Sequence, residues 1–164
     1  MENQLGKRTK MLPKTIGITG LAGAGKTYAA NWLRLRTGGE IWSFAAEIKR
    51  IAATMGWNGE KDARGRKLLQ DLGSIGREYD RQCWVNRMPT DRPVIIDDVR
   101  YINEAAAIRS VGGIIIRIER PGLTPMDHSS ETEQRHIVAD YTVANNRSFE
   151  ECLEYIHERE SRTA

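Results

Sequence analysis

The stretch Thr15-Ile-Gly-Ile-Thr19-Gly20-Leu-Ala-Gly-Ala-Gly25-Lys26-Thr27 decides how this chain folds. Positions 15–19 are mostly β-branched and read as a short buried strand. Gly20 to Thr27 then satisfies the spacing G-x-x-x-x-G-K-[ST], and a helix is expected from 26 to about 36, stopped by Gly38-Gly39. The order strand, glycine loop, helix gives the spacing its physical meaning. Backbone N–H groups in a tight glycine turn, together with the positive end of a helix, make a cradle for phosphate oxygens. ATP is the expected ligand, with contacts at Gly20, Ala22, Gly23, Ala24, Gly25, Lys26, Thr27 and Tyr28. Lys26 is expected to bridge the terminal phosphates, and Thr27 to place its hydroxyl on Mg²⁺.

Outward from this loop, strands alternate with helices. Further strands are expected at 40–44, 93–97, 114–118 and 141–144. The second leads into a helix on which Ile48, Ile51, Ala52 and Met55 recur at helical spacing. Positions 63–88 read as helical in pieces, and a helix over 103–111 ends at Gly112-Gly113. The last helix starts at Ser148, with Glu151 set to complete a capping box and Phe149, Cys152, Leu153 and Ile156 facing inward. This pattern predicts a three-layer α/β P-loop NTPase fold: a five-stranded parallel sheet with helices on both faces.

The chain has 164 residues, 40% of them apolar, which suits one domain over 1–164 with a loose, basic leader at 1–12. No run has membrane length. Cys83 and Cys152 lie far apart in segments that read as helical, so reduced thiols in a cytoplasm are expected, not a disulfide framework or zinc site. The net charge of +3 and isoelectric point near 9.0 favour an anionic partner. Basic residues gather at 61–81 and 117–135. Trp57, Tyr79 and Trp84 near the first of these are expected to be core residues, not a stacking surface, and no stable nucleic-acid complex is expected.

A P-loop needs an acidic residue at the end of a neighbouring strand, and Asp97 and Asp98 both qualify as metal ligands through the water shell. Arg100, two residues on, would put a cation where charge builds during phosphoryl transfer. The segment 120–136, rich in Pro, Gly, Ser and charge, is a candidate lid. Arg120, His128 and Arg135 could close it over the phosphates and exclude water.

Several motifs in order carry a family resemblance. They are the P-loop, Ser43-Phe-Ala-Ala-Glu-Ile-Lys49, Leu68-Leu-Gln-Asp-Leu-Gly73, Asp98-Val-Arg100 with Asn103-Glu104, Asp127-His-Ser-Ser-Glu131 and Asp140-Tyr-Thr-Val-Ala-Asn-Asn146. Together, over nearly all of the chain after Pro13, they resemble the phage-type deoxynucleoside monophosphate kinases. The resemblance implies ATP with Mg²⁺ and transfer of the γ-phosphoryl group to a deoxynucleoside 5′-monophosphate. It implies substrate contacts at Lys49, Gln70, Arg77, Asp98, Arg100, His128 and Glu131, and catalytic roles for Lys26, Arg100, Arg120 and Arg135. One departure stands out: where the family has Phe-Ala-Asp-Pro-Leu-Lys, this chain has Phe-Ala-Ala-Glu-Ile-Lys49, which keeps the lysine and changes the turn before it. Pairing into a homodimer is compatible with the sequence. Two other readings stay open, a P-loop kinase for another small phosphorylated acceptor, such as dephospho-coenzyme A or phosphomevalonate, and an ATP-binding module that grips nucleic acid.

Overall fold

Short runs of Ile and Val, continuous enough to be apolar on both faces, form the centre of a sheet in the computed structural model, which describes residues 14–124 and 133–163. The strands are β1 (Ile16–Thr19), β2 (Glu40–Trp42), β3 (Val94–Ile96), β4 (Ile114–Glu119) and β5 (Tyr141–Ala144), with spatial order β2-β3-β1-β4-β5. Every pairing is parallel. All residues of β1 and β3 are buried, whereas the edge strands β2 and β5 are partly exposed, as the placement of apolar runs in a parallel sheet requires.

The helices are α1 (Lys26–Thr37), α2 (Ala46–Thr54), α3 (Ala63–Tyr79), α4 (Ile102–Ser110) and α5 (Phe149–Arg162). Two apolar cores lie on opposite faces of the sheet. On one, Ala29, Ala30, Trp32 and Leu33 of α1 and Phe149, Leu153 and Ile156 of α5 pack against Ile16, Ile18, Ile116 and Ile118. On the other, Ala105 and Ile108 of α4 pack with Val94, Ile96, Val99 and Ile115. This is the expected three-layer arrangement. The chain passes to β2 and β3 on one side of β1 and returns to β4 and β5 on the other, so β1 sits at the switch point, where loops at the strands' carboxyl ends part to leave a crevice.

Several local expectations change. β2 stops at Trp42, because the next residues turn away to bind a carboxylate described below. Between α3 and β3 there is only a short 3-10 turn, Val85–Arg87, so Cys83 lies in a turn. Both cysteines are free and half-buried, and Cys152 packs inward against the core as expected. Tyr79 is 91% exposed at the end of α3 and is no core residue, whereas Trp84 is buried and donates its indole N–H to the Gly73 carbonyl at 3.0 Å. Trp57 is half-buried. Met55, at the end of α2, points to solvent. The capping box at Ser148 does not form: its hydroxyl and its N–H both go to Asn146 Oδ1, each at 3.0 Å, an Asx-type turn that competes with capping.

α3 carries three glycines, Gly65 in its first turn and Gly73 and Gly76 farther in, and a glycine inside a helix is unfavourable by about 1 kcal/mol relative to alanine. The use of Gly76 is steric. A Cβ on Gly76 would lie 2.3 Å from the Trp84 ring, so the glycine makes room for the buried indole.

Candidate active site

The loop after β1 takes its shape from backbone freedom and close packing. Gly20 has φ +141°, and a Cβ there would sit 2.2 Å from the Ile118 carbonyl oxygen, so only glycine fits where β1 turns beside β4. At Gly25, with φ +107°, α1 begins without a side-chain cap, which leaves its first N–H groups facing the crevice. Asn145, just past β5, pins the loop from the other side. Its amide donates to the Ala24 carbonyl at 2.8 Å, and its N–H to Glu119 O at 2.7 Å.

Lys26 Nζ arches over the loop and donates to the Gly20 and Leu21 carbonyls at 2.5 and 2.8 Å. The ammonium therefore sits at the mouth of the cradle. Ala22 and Gly23 are exposed, while Ala24 is fully buried. Tyr28 is half out of the protein, its hydroxyl bonded to Glu150 and its ring centroid 5.9 Å from that of Phe149.

Asp97 and Asp98 separate. Thr27 Oγ1 donates to Asp97 Oδ2 at 3.2 Å, joining P-loop and β3 in the pair that a magnesium site needs. Asp98 turns the opposite way and is taken up by the loop after β2. Ser43 Oγ (2.6 Å) and Ala45 N–H (2.9 Å) donate to one of its oxygens, and Phe44 N–H (3.0 Å) donates to the other. Asp98 thus holds the loop 43–45, while Asp97 is the carboxylate that meets Thr27. A hydroxyl and a carboxylate so paired fit a hard cation that keeps waters and phosphate oxygens as its other ligands.

The expected acceptor residues lie beyond Asp98. Lys49 is half-buried on α2, and its N–H bonds to the Ala45 carbonyl, one turn from the residue Asp98 grips. Gln70 and Arg77 are half-buried on α3. The Arg77 guanidinium stacks over the Tyr101 ring at 4.1 Å, which brings it beside the turn carrying Arg100. Glu104 is only 4% exposed, and its Oε2 accepts the N–H groups of Arg100 (2.7 Å) and Tyr101 (3.0 Å). Burial pushes its pKa up to about 8. The two N–H groups and Arg77 oppose that rise, and Asp98 adds to it.

On the other flank, a cleft of about 400 Å³ runs from Gly20, Leu21 and Ala24 to Arg117, Arg120, Leu123 and Arg135. Arg120 reaches toward the Gly23 carbonyl at 3.4 Å, and Arg135 is exposed on the rim. Arg117 Nη2 donates to the carbonyls of Gln134 (3.2 Å) and Ile137 (2.6 Å), tying the end of the candidate lid to β4. His128 and Glu131, like the leader at 1–12, lie outside the described residues.

Sequence reasoning assigned no role to Ser43, Glu104, Arg117 or Asn145. Glu104 and Asn145 stood inside quoted motifs, and their placement after a turn and at a strand end was an available signal. Ser43 also opened a quoted motif and Arg117 opened a basic segment, but the partners that give them their roles, Asp98 for one and the Gln134 and Ile137 carbonyls for the other, are distant in sequence.

No family model matches the sequence. A protein of Acanthamoeba polyphaga mimivirus described as "Putative deoxynucleotide monophosphate kinase" is 31% identical over 174 residues, covering 83% of this chain and 90% of that one. Uncharacterized proteins ORF76 and ORF77 of Ictalurid herpesvirus 1 are 27% and 31% identical over 87% and 72% of this chain, which spans 60% and 58% of their lengths. Among solved structures, shikimate kinase from Acinetobacter baumannii matches 89% of this chain and 92% of its own at 21% identity, with a TM-score of 0.50. A gluconokinase from Sinorhizobium meliloti matches 94% and 95% at 13% identity, also with a TM-score of 0.50. Both likenesses are of fold.

Proposed function

The chain belongs to the deoxynucleotide monophosphate kinase family, and on that premise we propose that this P-loop phosphotransferase moves the γ-phosphoryl group of ATP to the 5′-phosphate of a deoxynucleoside monophosphate, giving the diphosphate and ADP. The observation that carries the reading is the parting of Asp97 and Asp98: one carboxylate serves the P-loop side and the next holds the opposite loop. A donor site and an acceptor site built back to back on one strand end suit transfer between two phosphates.

In this reading the cradle from Gly20 to Thr27 and Tyr28 takes ATP, and Thr27 with Asp97 would hold Mg²⁺. The metal's contribution is to neutralise phosphate charge. Lys26 exchanges its carbonyl partners for the terminal phosphates, so no long movement is needed to bring its charge to the reacting group. Lys49, Arg77 and Arg100 neutralise and orient the acceptor phosphate, with Gln70 toward its base. Arg120 and Arg135 line the cleft over the donor phosphates and favour the charge that spreads over the transferred group. No general base is required, because the acceptor phosphate already presents a negative oxygen. His128 and Glu131 are assigned to the acceptor side on the family resemblance alone. The protein acts without a nucleic-acid complex, and a cytoplasmic setting and pairing into a homodimer are compatible with this role. Among the described residues no helix is long and apolar enough to cross a membrane.

The reading is tested by incubating the chain with Mg-ATP and, separately, each deoxynucleoside monophosphate, each ribonucleoside monophosphate, dephospho-coenzyme A, phosphomevalonate and single-stranded DNA. ADP release that depends on at least one deoxynucleoside monophosphate is expected. Release at the ATP-only rate with every one of them overturns the reading, and release with another acceptor alone reassigns the substrate.

A further inference from the structure

A carboxylate in the first turn of a helix ordinarily caps the N–H of the residue at the helix boundary. Glu104 does this for Tyr101 and goes further: the same Oε2 also takes the N–H of Arg100, one residue outside the helix. The loop 97–101 is thereby fastened along its length. Asp98 is held by residues 43–45, Val99 donates its N–H to the Ile18 carbonyl at 3.2 Å and is fully buried, and Arg100 and Tyr101 end on Glu104. Tyr101 in turn carries the Arg77 guanidinium. Two arginines assigned to the acceptor phosphate therefore take their positions from one turn, and that turn closes on a single buried oxygen.

We infer that Glu104 is a positioning residue for phosphoryl transfer, setting the backbone at Arg100 and Tyr101 so that both Arg100 and Arg77 meet the acceptor phosphate. The inference rests on the proposed function, since it needs an acceptor phosphate on this side of Asp98. The essential property of the side chain is an acceptor oxygen at this reach from α4, and not its charge. A glutamine offers the same oxygen. An aspartate keeps the charge but withdraws the oxygen by one methylene. A structural carboxylate needed only for its charge, or for filling space, would rank these variants differently.

The experiment compares wild type, E104Q, E104D and E104A by steady-state kinetics with Mg-ATP and the preferred deoxynucleoside monophosphate. Hydrogen exchange at the Arg100 and Tyr101 amides is followed in parallel. E104Q is expected to keep kcat within about threefold and to retain amide protection. E104D and E104A are expected to lose about 10- to 100-fold in kcat, with KM for ATP changed less than about twofold and both amides exchanging faster. If E104A does not fold, E104D carries the comparison. E104D as active as wild type, E104Q as impaired as E104D, or unchanged amide protection in E104D overturns the inference. A wild-type protein without acceptor-dependent ADP release overturns the proposed function itself, an outcome distinct from any ranking of the variants.

Discussion

At the residue scale, Lys26 lies 2.5 and 2.8 Å from carbonyls at the mouth of the cradle, so its ammonium is in place before any ligand arrives. In the proposed transfer, truncation would remove a charge that acts on the transferred group. K26A is expected to lower kcat by about 10²–10³-fold, with the fold unchanged by circular dichroism. Asp97 and Asp98 give a sharper comparison because they are neighbours with opposed tasks. D97N weakens the partner of Thr27 and is expected to raise the Mg²⁺ concentration for half-maximal rate by about tenfold or more. D98N disturbs three hydrogen bonds to the loop 43–45 and is expected to raise KM for the acceptor while leaving the Mg²⁺ requirement near that of wild type. Equal Mg²⁺ dependence in the two variants contradicts this division. The sequence named both aspartates without separating them. What separates them is contact with residues far along the chain, Thr27 for one and Ser43 for the other, which no local spacing encodes.

Among the elements, the P-loop and α1 were readable because glycine, lysine and threonine at fixed spacing specify a local backbone, and a glycine at φ +68°, Gly38, ends α1 where expected. α5 starts at Ser148 as expected, but without the expected capping box. A serine followed three residues later by glutamate satisfies the capping pattern, yet Asn146 competes for the serine and wins. α3 shows tertiary packing overriding propensity. G76A gains helix propensity of about 1 kcal/mol but puts a methyl against Trp84, and overpacking of this kind costs about 1–3 kcal/mol. Urea unfolding is expected to show G76A destabilised in wild type. In a W84A background, where the ring is gone, the same change is expected to be neutral or stabilising. Destabilisation of equal size in both backgrounds contradicts the packing account.

For the whole molecule, the alternation of apolar strands with helices was enough to give five parallel strands and two covered faces, because buried strands must be apolar on both sides and parallel strands need crossovers. The alternation left out how the loops at one end of the sheet divide Asp97 and Asp98 between them. Stability is expected to register that division through Glu104. Its pKa, raised to about 8 from 4.5 chiefly by burial, means the folded protein holds a proton that the unfolded chain releases. The stabilisation is complete below about pH 4.5 and is lost as pH rises toward 8, at up to about 1.4 kcal/mol per pH unit. In ligand-free protein, urea unfolding between pH 5 and 8 is expected to show this slope in wild type and a shallower one in E104Q; identical slopes contradict it. Phosphoryl transfer can be followed at the phosphorus itself. ³¹P NMR of the chain with Mg-ATP and its preferred deoxynucleoside monophosphate is expected to show the monophosphate resonance giving way to the paired α and β doublets of the deoxynucleoside diphosphate, in step with ADP. Inorganic phosphate appearing with ADP while the monophosphate resonance stays unchanged would contradict the account.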